Sequence, residues 1–175
     1  GVDNFNDYYD VNLKKRRNKI LKNFKNYKFF KTDINNKIRL KKIFQNNRID
    51  FVFHFAAQAG VRYSIDYPRK YVESNIVGFY NIIENVKEYK IKRLFYASSS
   101  SVYGENNNFP INEREVVSPK NIYGLSKKVN EEISLIFNKF YKVKLTGLRF
   151  FTIYGEWGRP DMMMLKFIDS YFKKK

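Results

Sequence analysis

Short runs of β-branched and aromatic residues alternate along this chain with segments of helical periodicity, and this alternation constrains the fold more than any other feature. Four runs are predicted as strands: Tyr27–Phe30, Phe51–Ala56, Arg93–Ala97 and Leu145–Phe150. The second and third are nearly continuous apolar runs, which is typical of strands covered on both faces. The alternation predicts an α/β fold with a mostly parallel sheet and right-handed crossovers.

Three segments between or after these runs are predicted as helices. Apolar residues recur at steps of three and four from Val72 to Val86, after Pro68, and again from Leu125 to Phe140. A weaker helical pattern covers 38–44. Folds of this kind bind ligands at the carboxyl ends of their strands, so the residues that follow each strand are the candidates for a functional site.

Length and composition exclude several classes of protein. The chain has 175 residues, enough for one ordinary domain, and no cysteine, which excludes disulfide scaffolds, iron–sulfur sites and thiolate zinc sites. A single histidine, His54, leaves too few imidazoles for the usual metal clusters, so no metal site is predicted. The longest uncharged apolar stretch, 51–57, is far shorter than the roughly 20 residues that span a bilayer. We therefore expect a cytoplasmic protein without a membrane partner.

The net charge of +17 raises the question of a nucleic-acid partner. Between Leu13 and Arg48 there are 14 basic residues and one acid, Asp33, so the excess is regional. These basic residues alternate with apolar ones at helical spacing, as on a solvated helix face. A nucleic-acid-binding module stays open as an alternative, recognisable by affinity that falls steeply with salt. No known nucleic-acid-binding motif supports it, and no such partner is expected.

Tyr123 and Lys127 are the first candidate catalytic pair. They lie four residues apart at the start of a predicted helix and therefore on the same face. An unperturbed phenol titrates near 10, so its use as a base near neutrality needs about 4 kcal/mol of preferential phenolate stabilisation. A nearby ammonium supplies part of that. The spacing is common in helices, so the pair alone is weak support for catalysis.

The serine run Ser98–Ser101 strengthens this interpretation, because it ends the strand that precedes the helix. Hydroxyls there can hold a substrate oxygen while a tyrosine on the next helix takes its proton. The alternative is that the serines only satisfy backbone groups in a turn. His54 is predicted to be a packed core histidine, since no G-x-S-x-G motif offers it a serine partner.

Several stretches of the chain together resemble a known family. Tyr-x-x-x-Lys after a serine-rich strand end, with Asp3-Asn4 near the start, is similar to the extended short-chain dehydrogenase/reductases that act as NAD-dependent nucleotide-sugar epimerases and dehydratases. Within that family the sequence resembles the UDP-glucuronate 4-epimerases. The matching stretches are 3–9, 56–64, 97–104 and 148–162.

The resemblance implies a Rossmann-like doubly wound parallel sheet, from which this sequence departs at its start. Members begin with a strand and a Gly-x-x-Gly-x-x-Gly turn that approaches the dinucleotide pyrophosphate, whereas this sequence opens at Gly1-Val2-Asp3. We therefore expect an internal fragment that lacks the first strand, the glycine-rich turn and most of the C-terminal substrate-capping region. Residues 1–175 are expected to form a partial NAD-binding domain, with the substrate-binding region starting at about 152–175. Because the first strand is central in such sheets, the sheet is expected in two parts.

The resemblance also implies a reaction, in which NAD is the cofactor and a UDP-sugar is the substrate. UDP-glucuronate and UDP-galacturonate would be interconverted through a transient 4-keto sugar. Tyr123 would deprotonate the sugar O4, Lys127 would hold the nicotinamide ribose and assist the tyrosine, and Ser99 would orient O4. The implied cofactor-binding residues are Asp3, Asn4, Asp33, Ile34, Phe55, Ala56, Ala57, Gln58, Asn75, Tyr123 and Lys127. The implied substrate-binding residues are Ser100, Ser101, Thr152 and Arg159. A homodimer is compatible with this interpretation.

Related activities remain as alternatives. Dehydratases and decarboxylases of this fold usually place an acidic residue just before Val-Tyr-Gly, where this chain has Ser100 and Ser101. That difference favours 4-epimerisation. A uronate carboxylate needs a cation near C6, and Arg159 is the natural candidate, whereas a UDP-glucose 4-epimerase needs none. A cofactor-binding relative without catalytic activity is disfavoured by Ser99, Tyr123 and Lys127.

Overall fold

The structure, a computed structural model, describes residues 1–106 and 109–173. Residues 107–108 and 174–175 lie outside the described residues, so the predicted start of the substrate-binding region is described up to residue 173. The chain divides into two compact units. Unit 1 consists of Gly1–Asp33 and Thr152–Lys175, and unit 2 consists of Ile34–Phe151.

Strands and helices alternate along the described residues, as the sequence predicts. In chain order the elements are β1 (Val2–Asp3), α1 (Val11–Leu21), β2 (Phe30–Lys31), α2 (Lys37–Gln45), β3 (Phe51–His54), α3 (Tyr63–Asp66), α4 (Pro68–Tyr71), a π-helical turn (Val72–Val77), α5 (Gly78–Glu88), β4 (Arg93–Ala97), a 3₁₀ turn (Ser100–Val102), α6 (Ile122–Tyr141), β5 (Leu145–Leu148) and α7 (Met163–Phe172). Among these, no helix is both long enough and apolar enough to cross a bilayer.

Unit 1 contains a two-stranded parallel sheet formed by β1 and β2. The predicted strand Tyr27–Phe30 is largely wrong, because only its last residue lies in β2. The chain is still turning before that point, since the Tyr27 N–H donates to Phe24 O at 3.0 Å. Pairing with the N-terminal strand begins where the Phe30 N–H donates to Gly1 O at 2.9 Å.

Unit 2 contains a separate parallel sheet in the order β3-β4-β5. The α/β fold with parallel strands is thus confirmed, as is a sheet in two parts among the described residues. The predicted bounds of β4 are confirmed, whereas β3 and β5 each end two residues earlier than predicted. In β5 the last ladder pair is Leu148 with Ala97, the end of β4, although the Ser100 N–H still donates to Phe150 O at 2.9 Å.

The apolar core of unit 2 draws its side chains from α2, α5, α6 and β4. Val52 and His54 point from β3 toward it, because alternate residues of a strand face opposite sides. Phe51, Phe53 and Phe55 are exposed by 52%, 64% and 53%. The prediction that this strand is covered on both faces is therefore wrong for the described residues.

The three predicted helices are confirmed, with two differences. The segment after Pro68 is interrupted by the π-helical turn before α5 begins. In α6, the predicted apolar stripe is not the buried face, because Leu125, Ile136 and Phe140 are exposed. The buried face of α6 is largely polar and includes Ser126, Lys127, Asn130 and Ser134.

Candidate active site

The candidate site of unit 2 lies where three parallel strands end. The carboxyl ends of parallel strands share one edge of the sheet. The loop 55–60 follows β3, the serine turn 98–102 follows β4, and α6 begins beside that turn. The sequence predicts this clustering from the residues that follow each strand.

The N-terminus of α6 is fixed against the serine turn. The Asn121 side chain caps the helix by accepting a hydrogen bond from Gly124 N at 2.8 Å. A Cβ atom at Gly124 would lie only 2.5 Å from Ser101 O, so no larger residue fits there without movement. This close approach places Tyr123, the residue before Gly124, beside the turn. Tyr123 is partly exposed, and its ring centroid lies 6.1 Å from that of Tyr71.

Lys127 lies one turn further along α6 and is almost entirely buried. Its ammonium donates a hydrogen bond to Ala97 O, the last residue of β4, at 2.9 Å. Burial lowers the pKa of Lys127 to about 8. Burial, with a smaller contribution from Lys127, also lowers the pKa of His54 to about 3. His54 packs against Phe79, so the prediction of a packed core histidine is confirmed, although it lies at the end of its strand.

The serines divide into two groups. Ser98 and Ser99 are buried, and Ser100 and Ser101 are partly exposed. The Ser99 hydroxyl accepts a hydrogen bond from Ser101 N at 3.2 Å and so caps the 3₁₀ turn. This is the turn-stabilising role that the sequence left open as an alternative. The hydroxyl proton of Ser99 is not used by that bond, so the same group can also donate to a ligand oxygen.

Asn75 lies in the π-helical turn and holds the loop after β3 in place. Its side-chain amide donates to Gln58 O and to the Ser126 hydroxyl, both at 3.0 Å, and its oxygen accepts from Gln58 N at 2.7 Å. The amide protons of Asn75 are thus fully used within the protein. The sequence predicts Asn75 and Gln58 as cofactor contacts, and the structure places both as buried supports of the loop that carries Phe55, Ala56 and Ala57.

Two residues that sequence reasoning missed lie in the same region. The Tyr71 hydroxyl donates to Ala59 O at 2.7 Å and also to Gly60 O, which fixes the end of the loop. Arg62 is exposed and has no carboxylate or hydrogen-bond partner among the described residues. Arg62 lies two residues after Gly60, and nothing in its immediate sequence distinguishes it from an ordinary surface arginine.

Unit 1 carries the other predicted cofactor residues. Asp3 ends β1, and its Oδ1 accepts a hydrogen bond from Phe5 N at 2.6 Å. The Asn4 amide donates to Asp33 Oδ2 at 2.7 Å. The parallel pairing of β1 with β2 brings these residues together from positions about thirty apart in the sequence. Ile34 belongs to unit 2, where it is buried in the core.

Arg159, the predicted carboxylate-binding residue, is already paired in unit 1. Its Nε and one terminal nitrogen donate to the two oxygens of Asp161 at 3.0 and 3.2 Å. Asp161 also accepts from the Tyr8 hydroxyl at 3.1 Å. Thr152, the other predicted substrate contact in this unit, is exposed. A ligand carboxylate would have to share the guanidinium with Asp161 or displace it.

Known proteins resemble this chain over its whole length. Residues 4–175 match the model of a family described as the NAD dependent epimerase/dehydratase family. UDP-glucuronate 4-epimerase 3 of Arabidopsis thaliana is 45% identical over 177 residues, covering 100% of this chain and 41% of that protein. Protein CapI of Staphylococcus aureus is 47% identical over 168 residues, covering 95% of this chain and 50% of that protein.

A solved structure agrees with this relationship. The UDP-glucuronic acid 4-epimerase from Bacillus cereus, in complex with UDP-glucuronic acid and NAD, superposes with a TM-score of 0.92 at 32% identity, covering 100% of this chain and 55% of that one. The Rossmann-like assignment is therefore confirmed. This chain spans about half the length, or less, of the curated relatives it matches.

Proposed function

The chain belongs to the NAD dependent epimerase/dehydratase family, and from that premise we propose that the protein catalyses NAD-dependent 4-epimerisation of a UDP-hexuronate, interconverting UDP-glucuronate and UDP-galacturonate. One observation carries the proposal. Tyr123 and Lys127 lie on one face of α6, next to the serine turn, with the Lys127 ammonium fixed on Ala97 O at 2.9 Å. This places a phenol, a buried cation and serine hydroxyls at one sheet edge.

The residues of this chain perform proton transfer and orientation. Tyr123 accepts the proton of the sugar O4, and Ser99 orients that oxygen through the hydroxyl proton that its turn-capping bond leaves free. Lys127 provides a positive charge one helical turn away from Tyr123. With a pKa of about 8, Lys127 remains mostly protonated at neutral pH.

The donor set fits NAD. Bound NAD supplies reversible hydride acceptance at C4 of the sugar. Asp3 is exposed at the carboxyl end of β1 and has one carboxylate oxygen that is not used by Phe5 N, which suits a ribose hydroxyl. Asn4 and Asp33 extend this polar group. Lys127 would bind the nicotinamide ribose, and Phe55, Ala56 and Ala57, on the loop after β3, would contact the cofactor.

The hexuronate is supported by similarity to UDP-glucuronate 4-epimerases, and 4-epimerisation is favoured by the serines in place of an acidic residue. Ser100, Ser101 and Thr152 offer hydroxyls to the sugar, and Arg159 offers charge to its carboxylate. The Arg159–Asp161 pair favours a second candidate, a UDP-glucose 4-epimerase, because it leaves less of the guanidinium for a ligand. The UDP-glucose 4-epimerase from Thermotoga maritima also has this fold, with a TM-score of 0.83 at 29% identity over 87% of this chain and 51% of that one.

The test uses the full-length protein, meaning the product of the complete reading frame that contains this sequence. The protein is incubated with NAD and either UDP-glucuronate or UDP-glucose, and proton NMR follows the anomeric signals. We expect conversion of UDP-glucuronate to UDP-galacturonate until equilibrium. Conversion of UDP-glucose alone would favour the second candidate, and conversion of neither would contradict epimerisation.

A further inference from the structure

The end of β4 is joined to α6 by a charged network in unit 2 that the proposed mechanism does not use. Glu131 lies one helical turn beyond Lys127, and its Oε1 accepts a hydrogen bond from the Ser98 hydroxyl at 2.5 Å. Arg149, just after β5, donates to both oxygens of Glu131, from Nε at 3.0 Å and from a terminal nitrogen at 2.8 Å. This is the bidentate geometry that makes guanidinium–carboxylate pairs strong and directional.

Arg149 also contacts Tyr103 and the loop that contains Glu113. Its other terminal nitrogen donates to the Tyr103 hydroxyl at 3.1 Å and to Glu113 O at 3.0 Å. The guanidinium lies 4.9 Å from the centre of the Tyr103 ring, close enough for a cation–π contact. Tyr103 is buried directly after the serine turn. The hydrogen bond to Glu131 is the main cause that raises the pKa of Arg149, so this cation stays charged throughout the pH range of enzymes.

This ion pair differs from the others in the described residues by its burial. The side chains of Arg149 and Glu131 are exposed by 22% and 16%. Lys92 and Asp50, which directly precede β4 and β3, are exposed by 66% and 42%. A sheltered pair is screened less by solvent, and removal of one partner leaves a costly unpaired charge. The network can therefore hold α6 in a fixed position against the end of β4, whereas an exposed pair cannot.

Two adjacent turns of α6 contact two adjacent residues of the β4 end. Lys127 binds Ala97 O, and Glu131 binds the Ser98 hydroxyl. Together these contacts fix both the rotation of α6 and its position along its axis. Ser99 follows Ser98 directly, and Tyr123 precedes Lys127 by one turn. The distance between the two proposed proton-transfer groups therefore depends on the Glu131 contact.

We propose that Glu131 and Arg149 are positioning residues, which hold Ser99 and Tyr123 at the separation that proton transfer requires. The expected effect on kcat rests on the proposed function, whereas the expected effect on the order of the serine turn does not. Catalytic steps are sensitive to displacements of about 1 Å, which can cost on the order of a hundredfold in rate. Substrate binding depends on many contacts and is less sensitive.

The experiment compares Glu131→Gln, which keeps the shape but removes the charge, with Glu132→Gln, the same change on the next, exposed residue. Arg149→Lys, which keeps the charge but loses the bidentate contact with Glu131, is a second test in case the first variant folds poorly. In the full-length protein we expect Glu131→Gln and Arg149→Lys to lower kcat by about tenfold or more, with KM changed by less than about threefold. Glu132→Gln should stay within about twofold of the unmodified protein.

Hydrogen exchange of the same variants gives a readout that is independent of the activity. Amides of 97–104 should exchange about tenfold faster or more in Glu131→Gln than in Glu132→Gln, because the turn loses its link to α6. Reduced thermal stability with unchanged kcat and unchanged exchange in 97–104 would show a merely structural pair and overturn the inference. If the unmodified protein epimerises no UDP-sugar, the proposed function fails, and the exchange result alone decides for or against the positioning role.

Discussion

The two units of this protein are stabilised in different ways. Unit 2 has an apolar core in which Phe79, Ile83 and Leu94 are fully buried. In the described residues of unit 1 the most buried side chains are polar, namely Lys14, Asn18 and Thr32. Lys14 donates to Asn6 O at 2.8 Å, and burial lowers its pKa. Unit 2 can therefore hold a rigid catalytic geometry through apolar packing, whereas unit 1 depends on hydrogen bonds.

The candidate functional residues follow this division. The proposed proton-transfer residues, Ser99, Tyr123 and Lys127, all lie in unit 2. The proposed ribose-binding residue Asp3 and the proposed carboxylate-binding residue Arg159 lie in unit 1. Substitutions in unit 2 should therefore affect folding or turnover strongly, and substitutions in unit 1 should mainly affect ligand preference.

The largest effect is expected for Tyr123→Phe in the full-length protein. Loss of the phenol oxygen removes the proposed general base, which should lower kcat by about a hundred- to ten-thousandfold while NAD binding persists. Tyr80→Phe, the same change at an exposed position of α5, serves as the control and should leave kcat nearly unchanged. Near-normal turnover in Tyr123→Phe would reassign proton transfer, with Ser99 as the first candidate.

The next effect compares a buried phenylalanine of unit 2 with an exposed phenylalanine of unit 1, through Phe79→Ala and Phe167→Ala. Phe79 is fully buried in unit 2, so its truncation should lower the free energy of unfolding by about 3–5 kcal/mol. Phe167, on α7 of unit 1, is exposed by 64%, and its truncation should change that free energy by less than about 0.5 kcal/mol. Chemical denaturation measures both, and equal losses would contradict the contrast between the units.

A pH effect is expected from His54. Its pKa is about 3 in the folded protein, against about 6.5 unperturbed, so between these values the unfolded chain binds a proton that the folded chain does not. The free energy of unfolding should therefore rise with pH across this window, by at most about 1.4 kcal/mol per pH unit from this one group. His54→Phe should reduce that slope in denaturation experiments from pH 4 to pH 6. An unchanged slope would show that His54 is not the group responsible.

The smallest effect concerns Arg159 in unit 1. If its guanidinium recognises the uronate, Arg159→Leu in the full-length protein should lower kcat/KM for UDP-glucuronate by at least about tenfold, equivalent to 1.4 kcal/mol. Turnover of UDP-glucose, expected to be slow, should change little. Asp161→Asn is the matched variant, since it breaks the same pair but keeps the cation. Parallel losses on both sugars in both variants would show that the pair is structural.

The sequence predicts the parts of this molecule that depend on local pattern. β4 was predicted to the residue, and α6 was predicted from its apolar period. The order of strand ends also placed Ser99 and Tyr123 in the same region. Each of these follows from the spacing of residues close together in the chain.

Features that depend on distant partners were not predicted. The Asn75 amide binds Gln58 and Ser126, and neither partner can be inferred from a lone asparagine in an apolar helix. Likewise, Glu131 looks like an ordinary helix-surface acid until the fold places Arg149 against it. The shifted start of β2 has the same cause, because a two-residue strand exists only through its partner.

The proposed 4-epimerisation of a UDP-hexuronate requires that the hydrogen at C4 is removed and then returned to the same carbon. The direct measurement supplies UDP-glucuronate carrying deuterium at C4 to the full-length protein and NAD in ordinary water, and follows the label by NMR and mass spectrometry. We expect UDP-galacturonate that retains the deuterium at C4, because the proposed role of Tyr123 involves only the proton on O4. Loss of the deuterium to solvent, or no UDP-galacturonate at all, would contradict it.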